Sequence, residues 1–207
     1  MIEPVIKRSH FTELLMRNNA AEEHGFKEWI FSRGMLFSAV NKWWSGGGKR
    51  SRLHEGLDLC LYRNRQERTV RLKEGTAVPA MYEGVVVKII DDFLGKSVII
   101  GHSLPGHPPF CSIYAHTIPE PGIEAGSRIH EGDVIAAIAD TGRSKTGLFP
   151  HLHITIGLIS DEKSYERMDW DTIGSSDVLT LLDPLGVIGG NYVIEDTDTL
   201  LNDAIRI

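Results

Sequence analysis

Hydrophobic and polar positions alternate with a period of two through most of the middle of the chain. The letters "LDLCLY" place Leu57, Leu59 and Leu61 on one face of a predicted strand. Further short runs rich in β-branched residues follow, each bounded by Gly, Pro or Asp: "TVRL", "GVVVKII", "KSVIIGH", "FCSIYAH", "DVIAAIA" and "HLHITIGLI". Many short strands without intervening helices predict an antiparallel sheet or two packed sheets.

Two segments of this region resemble each other. "KEGTAVPAMYEGVVVKI" and "EAGSRIHEGDVIAAIADTG" each lead through a glycine-containing turn into a hydrophobic strand. This similarity predicts hairpins that stack across a small barrel-like sheet. "MLFSAV", which begins at Met35, also has the composition of a strand.

Helical spacing is confined to the two ends of the chain. Apolar residues on one helix face run from Thr12 to about Phe31, and Gly25 divides this stretch into two predicted short helices. In "SSDVLTLLDPLGVI", Ser176 or Asp177 is a candidate cap for a short helix that ends before the proline. The tail "NYVIEDTDTLLNDAIRI" predicts a strand followed by a terminal helix.

These patterns divide the chain into three predicted parts. Residues 1–34 form a helical N-terminal extension, residues 35–190 form a mainly β domain built on an antiparallel sheet, and residues 191–207 form a C-terminal tail. The N-terminal extension either packs on the β domain or covers its groove as an inhibitory segment.

Composition and charge narrow the function classes. The chain has 207 residues, of which 42% are hydrophobic and 24% are charged, as in ordinary soluble domains. The net charge of -6 argues against a broad nucleic-acid footprint. No apolar run is long enough to cross a membrane, and the first residues lack the apolar core of a signal peptide. Either the protein stays inside the cell or this chain begins after a removed signal.

The two cysteines leave two alternatives open. Cys60 and Cys111 are too few for a disulfide scaffold, and neither belongs to a Cys-x-x-Cys pair. They form one bridge in an oxidising compartment or remain two core thiols, and the core reading is favoured. Cys60 lies two residues after Asp58 on the same strand, where we expect a small core side chain rather than a metal ligand.

The letters "HEGLD" look like a helical zinc-protease motif, His-Glu-x-x-His, whose last histidine is replaced by aspartate. That motif requires a helix, which brings residues i and i+4 onto one face. Here Gly56 costs a helix about 1 kcal/mol relative to Ala, and the period-two pattern that follows predicts a strand. We therefore expect His54 and Asp58 where a strand begins, in a geometry that excludes Glu55 from acting as the helical base.

Three other histidines lie on predicted strands. "PHLHITIGL" places His151 and His153 two residues apart, so both imidazoles share a strand face. "SIYAHT" places His116 at the end of another strand. A lone strand histidine is more often a hydrogen-bonded residue than a metal ligand, but the combination of His-x-x-x-Asp, His and His-x-His predicts a metal site.

The set of motifs resembles the lysostaphin/LytM-type zinc metallopeptidases. "GGGKRSRLHEGLDL" is similar to the start of that family's first metal strand, "YAHT" to its Tyr-x-His strand and "PHLHITI" to its His-x-His strand. "IHEGDVIAAIADTG" and "DPLGVI" are similar to its later glycine-containing and Asp-Pro segments. The resemblance covers about residues 35–188 and implies a LytM-like fold of the barrel-sandwich-hybrid type, with short helical extensions at the two ends.

The resemblance implies a role for each residue of the site. His54, Asp58 and His153 would bind Zn²⁺, and His116 and His151 would flank the metal as catalytic histidines. Three protein ligands leave one position open for water, as catalytic zinc requires. Tyr114 is a weaker candidate, either as an oxyanion donor or as a residue of the core or groove.

The resemblance also implies a substrate and a location. The expected reaction is zinc-dependent hydrolysis of peptide bonds in peptidoglycan stem peptides or glycine-rich cross-bridges, in an extracytoplasmic compartment. In "KWWSGGGKR", Trp43 and Trp44 either stack on substrate or cover the end of the sheet. A non-catalytic LytM-like module that binds or activates a cell-wall hydrolase is the alternative; a lipoyl-type carrier is disfavoured because "AMYEG" lacks the required lysine.

Overall fold

A computed structural model describes residues 6–19, 25–44, 47–141, 148–159, 161 and 163–196. Its helices are α1 (Phe11–Asn18) and α2 (Ser164–Arg167), with 3₁₀ turns at Arg33–Met35 and Pro184–Gly186. Its strands are β1 (Phe26–Ser32), β2 (Leu57–Leu59), β3 (Leu61–Asn64), β4 (Thr69–Arg71), β5 (Ala77–Pro79), β6 (Gly84–Asp91), β7 (Lys96–His102), β8 (Phe110–Pro119), β9 (Arg128–Ile129), β10 (Val134–Ile138), β11 (Leu152–Leu158), β12 (Thr180–Leu182) and β13 (Asn191–Glu195).

Most strands belong to one large antiparallel sheet. Its main path runs in the order β12–β11–β8–β7–β6–β9, and β2 pairs with β11. β10 pairs with both β8 and β5, and every pairing within this sheet is antiparallel. The predicted mainly β, antiparallel fold class is therefore confirmed.

The two similar segments pair with each other. β5 and β6 come from the first segment, and they pair antiparallel with β10 and β9 of the second. The alternating run "LDLCLY" divides between two strands, because β2 belongs to the large sheet and β3 to a smaller one. The break at Cys60 thus carries the chain from one sheet to the other.

The smaller sheet has the order β13–β1–β3–β4 and corrects the second predicted N-terminal helix. Phe26–Ser32 is a strand, parallel to β13 and antiparallel to β3. Trp29 lies opposite Tyr62 of β3 and Tyr192 of β13. Phe26 and Trp29 do have helical spacing, but their rings pack in a cluster with Tyr62 that only the strand pairing creates.

The first predicted helix is present as α1. It is amphipathic and buries Phe11, Leu14, Leu15 and Met16. Asn19, which follows it, exchanges hydrogen bonds with the backbone of Ala77, so the helix is joined to β5. The described part of the N-terminal segment therefore packs on the β region, and among residues 6–19 and 25–34 its α-helix is α1.

The predicted strand "MLFSAV" is wrong. Met35 closes a 3₁₀ turn, and Ser38 has a positive φ of 59°. The segment is held by backbone hydrogen bonds to the loop that carries the metal motif: Ser38 N–H donates to His54 O, and His54 N–H donates to Ala39 O. These contacts with a distant loop replace the ladder that a strand would need.

The predicted helix before the proline is also wrong, since Thr180–Leu182 is strand β12 and pairs with β11. Asp183 then caps the following 3₁₀ turn by accepting a hydrogen bond from Leu185 N–H. The predicted C-terminal strand is confirmed as β13, whereas the predicted terminal helix lies outside the described residues. The division of the chain at residues 34 and 190 stays a prediction.

Two buried hydrophobic clusters fill the interior. Cys60 belongs to the larger cluster and Cys111 to the smaller one, and both thiols are free. Burial raises the pKa of each thiol to about 12. The two cysteines are therefore core thiols, the alternative that the sequence favours. Among the described residues, no helix has the length and apolar character needed to cross a membrane.

Candidate active site

The loop before β2 brings His54 and Asp58 against β11. Asp58 lies on β2 directly opposite His153 of β11. Gly56 makes this approach possible, because a Cβ atom there would lie 2.1 Å from the carbonyl oxygen of Ile154 and 2.8 Å from His153 Nε2. Gly56, which disfavours a helix at this position, is thus also the residue that allows the loop to contact β11.

The structure brings the three predicted metal ligands together. His54 Nε2 lies 3.1 Å from Asp58 Oδ1 and 3.1 Å from His153 Nδ1, and His153 Nδ1 lies 2.8 Å from Asp58 Oδ1. The three side chains are 2–6% exposed. They are the group of His, Cys, Asp and Glu side chains in the described residues whose placement suits a metal ion.

Each of these side chains is held by a second partner. His54 Nδ1 lies 2.9 Å from the carbonyl oxygen of Leu36, which can only accept, so Nδ1 carries the proton and Nε2 carries a lone pair. His153 Nε2 lies 2.9 Å from Thr155 Oγ1. Trp43 Nε1–H donates to Asp58 Oδ2 at 2.7 Å, which leaves Oδ1 to face the histidines.

The donor set fits a zinc ion. In neutral His54, protonated on Nδ1, Nε2 and Asp58 Oδ1 present lone pairs at close range, an arrangement that suits a cation between them. Ligands at tetrahedral positions around zinc are about 3.3–3.5 Å apart, given metal–ligand bonds of about 2.0–2.2 Å. The observed separations of 2.8–3.1 Å are only slightly shorter. Two imidazoles and one carboxylate are also ligands that zinc accepts.

Burial controls the ionisation of these groups. It lowers the pKa of His151 and of His153 to about 4 despite the nearby Asp58 charge, so both imidazoles are neutral at pH 7. Burial alone would raise the pKa of Asp58, but the neighbouring His54 and the hydrogen bonds from the histidines outweigh it and hold that pKa well below its usual range. His153 and Asp58 are therefore in the forms that bind metal, a neutral imidazole and an ionised carboxylate.

His116 and His151 lie side by side next to this cluster. Their ring centroids are 4.8 Å apart, and the His116 ring is 5.8 Å from that of His153. His151 Nδ1 donates to the carbonyl oxygen of Phe149 at 2.8 Å, and His151 Nε2 lies 4.0 Å from Asp58 Oδ1. The five predicted histidine and aspartate residues thus meet in one place, although they come from three distant parts of the chain.

A pocket opens over these residues. Besides the five histidine and aspartate side chains, its wall contains mostly large apolar groups, with one cation and one carboxylate: Trp44, Arg50, Glu55, Phe93, Leu148 and Trp170. The Arg50 guanidinium stacks on the Trp44 ring at 4.7 Å, and Trp43 is fully buried beneath. Trp43 therefore supports Asp58, while Trp44 faces the pocket.

The structure places Tyr114 in the core, one of the alternatives left open for it. Its side chain is fully buried and does not line the pocket. The Tyr114 hydroxyl accepts a hydrogen bond from Met81 N–H and lies 3.1 Å from Ser112 Oγ, within the core. On a regular strand, Tyr114 would share a face with His116, two residues later. The two side chains do not share a face, because His116 has a positive φ of 63°, which interrupts the strand pattern.

Sequence reasoning missed several residues that support the site. Asp92 binds His116 from the turn between β6 and β7, and Thr155 binds His153 from the next position on the same strand face. The only local signal was the turn-type sequence "DDFLG", in which an aspartate precedes a glycine. Nothing in that signal indicates a partner 24 positions away.

The sequence of this region matches a known family. Residues 64–165, which include His116, His151 and His153, match the model of peptidase family M23. Over these residues the chain is similar to peptidase family M23. The match begins after His54 and Asp58, which the structure places against the M23 region through the pairing of β2 with β11.

Solved structures give weaker similarities. CbpA from L. salivarius REN is 21% identical, with 89% of this chain and 99% of that chain covered and a TM-score of 0.45. Lysostaphin from Staphylococcus simulans is 18% identical, with 78% and 52% covered and a TM-score of 0.43. A zinc-containing peptidase from Vibrio cholerae is 15% identical, with 82% and 41% covered and a TM-score of 0.43. A comparison with curated proteins gives no match.

Proposed function

We propose that this chain is a zinc-dependent endopeptidase that hydrolyses peptide bonds in peptidoglycan stem peptides or cross-bridges. The observation that carries the proposal is the convergence of His54 Nε2, Asp58 Oδ1 and His153 Nδ1 within 3.1 Å, beside two further histidines in an open pocket. Similarity to family M23 supports hydrolysis of a peptide bond, and the LytM-type motifs support a cell-wall substrate and an extracytoplasmic location.

In this proposal His54, Asp58 and His153 hold the metal. Bound zinc supplies Lewis acidity, which polarises a carbonyl oxygen and makes water more acidic. Trp43 keeps Asp58 oriented through its second oxygen, and Leu36 and Thr155 orient the two imidazoles. The buried carboxylate reduces the net positive charge of the centre.

His116 and His151 carry the proton chemistry. In both residues Nδ1 is engaged, with Asp92 in one case and with the Phe149 carbonyl in the other. When the ring is neutral, Nε2 of each histidine therefore carries a lone pair that can accept a proton from water. The same pair can return that proton to the leaving amine, and a protonated imidazole can stabilise the developing oxyanion.

The pocket wall supports a peptide substrate. Trp44, Phe93 and Trp170 offer flat apolar surfaces around the histidines, and Arg50 adds one positive charge. Such a wall suits an extended peptide backbone with small side chains between the rings.

The direct test combines metal analysis with digestion. The purified protein is expected to contain about one zinc ion per chain, and it should cut defined muropeptides and intact sacculi into products whose masses identify the bond. A chelator should abolish cleavage, and added zinc should restore it. A protein that contains no zinc and cuts neither substrate would contradict the proposal and support the non-catalytic alternative.

Variants separate the roles. His153→Ala should lose zinc and activity together, while His116→Ala and His151→Ala should keep zinc and lose about 10²- to 10⁴-fold in kcat. His130→Ala is the matched control, because the His130 side chain is 83% exposed and lies outside the pocket. Full activity in His153→Ala would contradict the assignment of the metal ligands.

A further inference from the structure

A buried carboxylate lies directly behind His116. Asp92 occupies the turn between β6 and β7, and its side chain is only 1% exposed. It is not a member of the metal cluster and does not line the pocket. Its neighbour Asp91 has the same side chain but is 85% exposed and pairs with Lys96. The two aspartates of one turn therefore have entirely different surroundings.

Asp92 accepts hydrogen bonds with both of its oxygens. Oδ1 accepts from the backbone N–H groups of Leu94 and Gly95, at 2.9 and 2.8 Å, and from His116 Nδ1 at 3.0 Å. Oδ2 accepts from Ser97 Oγ at 2.7 Å and from the backbone N–H of His116 at 2.9 Å. The carboxylate thus binds its own turn and also holds His116 at two points.

These donors keep Asp92 ionised. Burial alone would raise its pKa, but the hydrogen bonds from His116 and from the backbone N–H groups outweigh burial and hold the pKa below its usual range. An ionised carboxylate can only accept, so His116 Nδ1 must carry a proton. The lone pair of neutral His116 is then on Nε2, on the side of the ring away from Asp92.

His116 also needs a backbone constraint. Its φ of 63° lies in the left-handed region, which side chains other than glycine rarely adopt. Such a conformation persists where surrounding contacts hold it. The hydrogen bond from His116 N–H to Asp92 Oδ2 is one such contact, and the ring is also packed against Phe93 at a centroid distance of 4.7 Å.

We propose that Asp92 is a positioning residue for His116: it fixes the strained backbone and the Nδ1–H tautomer, so that Nε2 faces the metal cluster. The proposal rests on the proposed function for its kinetic consequence, but the tautomer of His116 is independent of activity. Asp92 would act through His116 and would not touch the substrate.

Asp92→Asn is the informative variant, because an amide has only one acceptor oxygen. If that oxygen stays with Leu94 and Gly95, the amide NH₂ faces the backbone N–H of His116. If the amide turns round, the NH₂ faces the ring nitrogen of His116 instead. Either way, one of the two contacts with His116 is lost, whereas the turn itself can keep its acceptor.

The kinetic measurement uses the zinc-loaded protein and a defined muropeptide. Asp92→Asn should lower kcat by about 10- to 100-fold, a part of what a general acid–base group supplies, with KM within about twofold and zinc content unchanged. Asp91→Asn, the matched control in the same turn, should keep wild-type values. A residue that only stabilised the turn would be replaced by Asn without this loss.

Nitrogen-15 NMR of the histidine rings supplies the second measurement, with the His116 signals assigned by their loss in His116→Ala. The wild type should show His116 protonated on Nδ1, and Asp92→Ala, which removes both acceptor oxygens, should shift or mix the tautomers. Wild-type kcat in Asp92→Asn, or a wild-type His116 protonated on Nε2, would overturn the proposal. If the wild type cleaves no substrate, the proposed function fails, and the wild-type NMR result then decides the role of Asp92. The same wild-type measurement decides that role if a variant of Asp92 folds poorly.

Discussion

Gly56 is the residue at which the metal loop touches the neighbouring strand. A Cβ atom at this position would meet backbone atoms of Ile154, which cannot move aside as a flexible side chain can. The same Cβ would crowd the ring of His153. One missing side chain therefore determines how closely the loop that carries His54 approaches His153.

Replacement of Gly56 by Ala should damage both stability and metal binding. Overpacking against backbone costs about 1–3 kcal/mol or more, and the displaced loop should carry His54 away from His153. Thermal unfolding and zinc content measure the two effects. Gly186→Ala is the matched control, because a Cβ there meets nothing within 4 Å; an equal loss in both variants would refute this account.

At the scale of elements, β1 shows how pairing overrides local periodicity. Phe26–Ser32 has apolar residues at helical spacing, yet it lies between β3 and β13 in the smaller sheet. Trp29 is fully buried there, and its Nε1–H donates to Thr12 Oγ1 of α1 at 2.9 Å. One aromatic residue therefore links helix α1 with strand β1.

Trp29→Ala should consequently lower the free energy of unfolding by about 3–5 kcal/mol, the usual cost of removing a buried large aromatic side chain. Urea unfolding followed by circular dichroism measures the change. The control is Ile194→Ala on the adjacent strand β13, where the side chain is 41% exposed and little loss is expected. A small effect of Trp29→Ala would mean that residues 26–32 contribute little to stability.

At the scale of the whole molecule, a chain of hydrogen bonds crosses the large sheet away from the active site. His102 Nδ1 donates to the carbonyl oxygen of Glu83 at 2.8 Å, and His102 Nε2 lies 2.8 Å from Ser112 Oγ. Ser112 in turn lies 3.1 Å from the Tyr114 hydroxyl. Burial lowers the pKa of His102 to about 4, so the native protein holds this ring neutral.

This buried histidine should make global stability depend on pH. Between pH 4 and 6.5 the unfolded chain binds a proton that native His102 does not, so its contribution is fully present above about pH 6.5 and is lost as the pH falls toward 4. The contribution is at most about 3 kcal/mol.

His102→Gln should flatten that dependence. Unfolding free energies of wild type and variant, measured from pH 4.5 to 7.5 under the same zinc conditions, give the difference. Comparing the two proteins is necessary because His151 and His153, whose pKa values are also lowered to about 4, titrate in the same range. A difference that stays constant with pH would contradict the buried, neutral state of His102.

Much of the strand content was readable from the sequence, because alternation and β-branched runs are local properties. Strands β6, β7, β8, β10 and β11 were all predicted as runs of the chain. Segments 26–32, 35–40 and 176–183 were predicted wrongly, because their conformations depend on partners that are distant in sequence. Tyr114 lies in the core and not in the pocket beside His116, because the positive φ of His116 interrupts the alternation.

The sequence by itself determined the types of donor, their order and their spacing: a His-x-x-x-Asp before one strand, a histidine on a second strand and a His-x-His on a third. Only the tertiary structure decided that Asp58 lies opposite His153, that Gly56 permits the contact, and that Asp92 lies behind His116. Strand register is the physical reason for the first, because a shift of one residue would turn Asp58 away from His153. The other two depend on contacts between segments that are distant in the sequence.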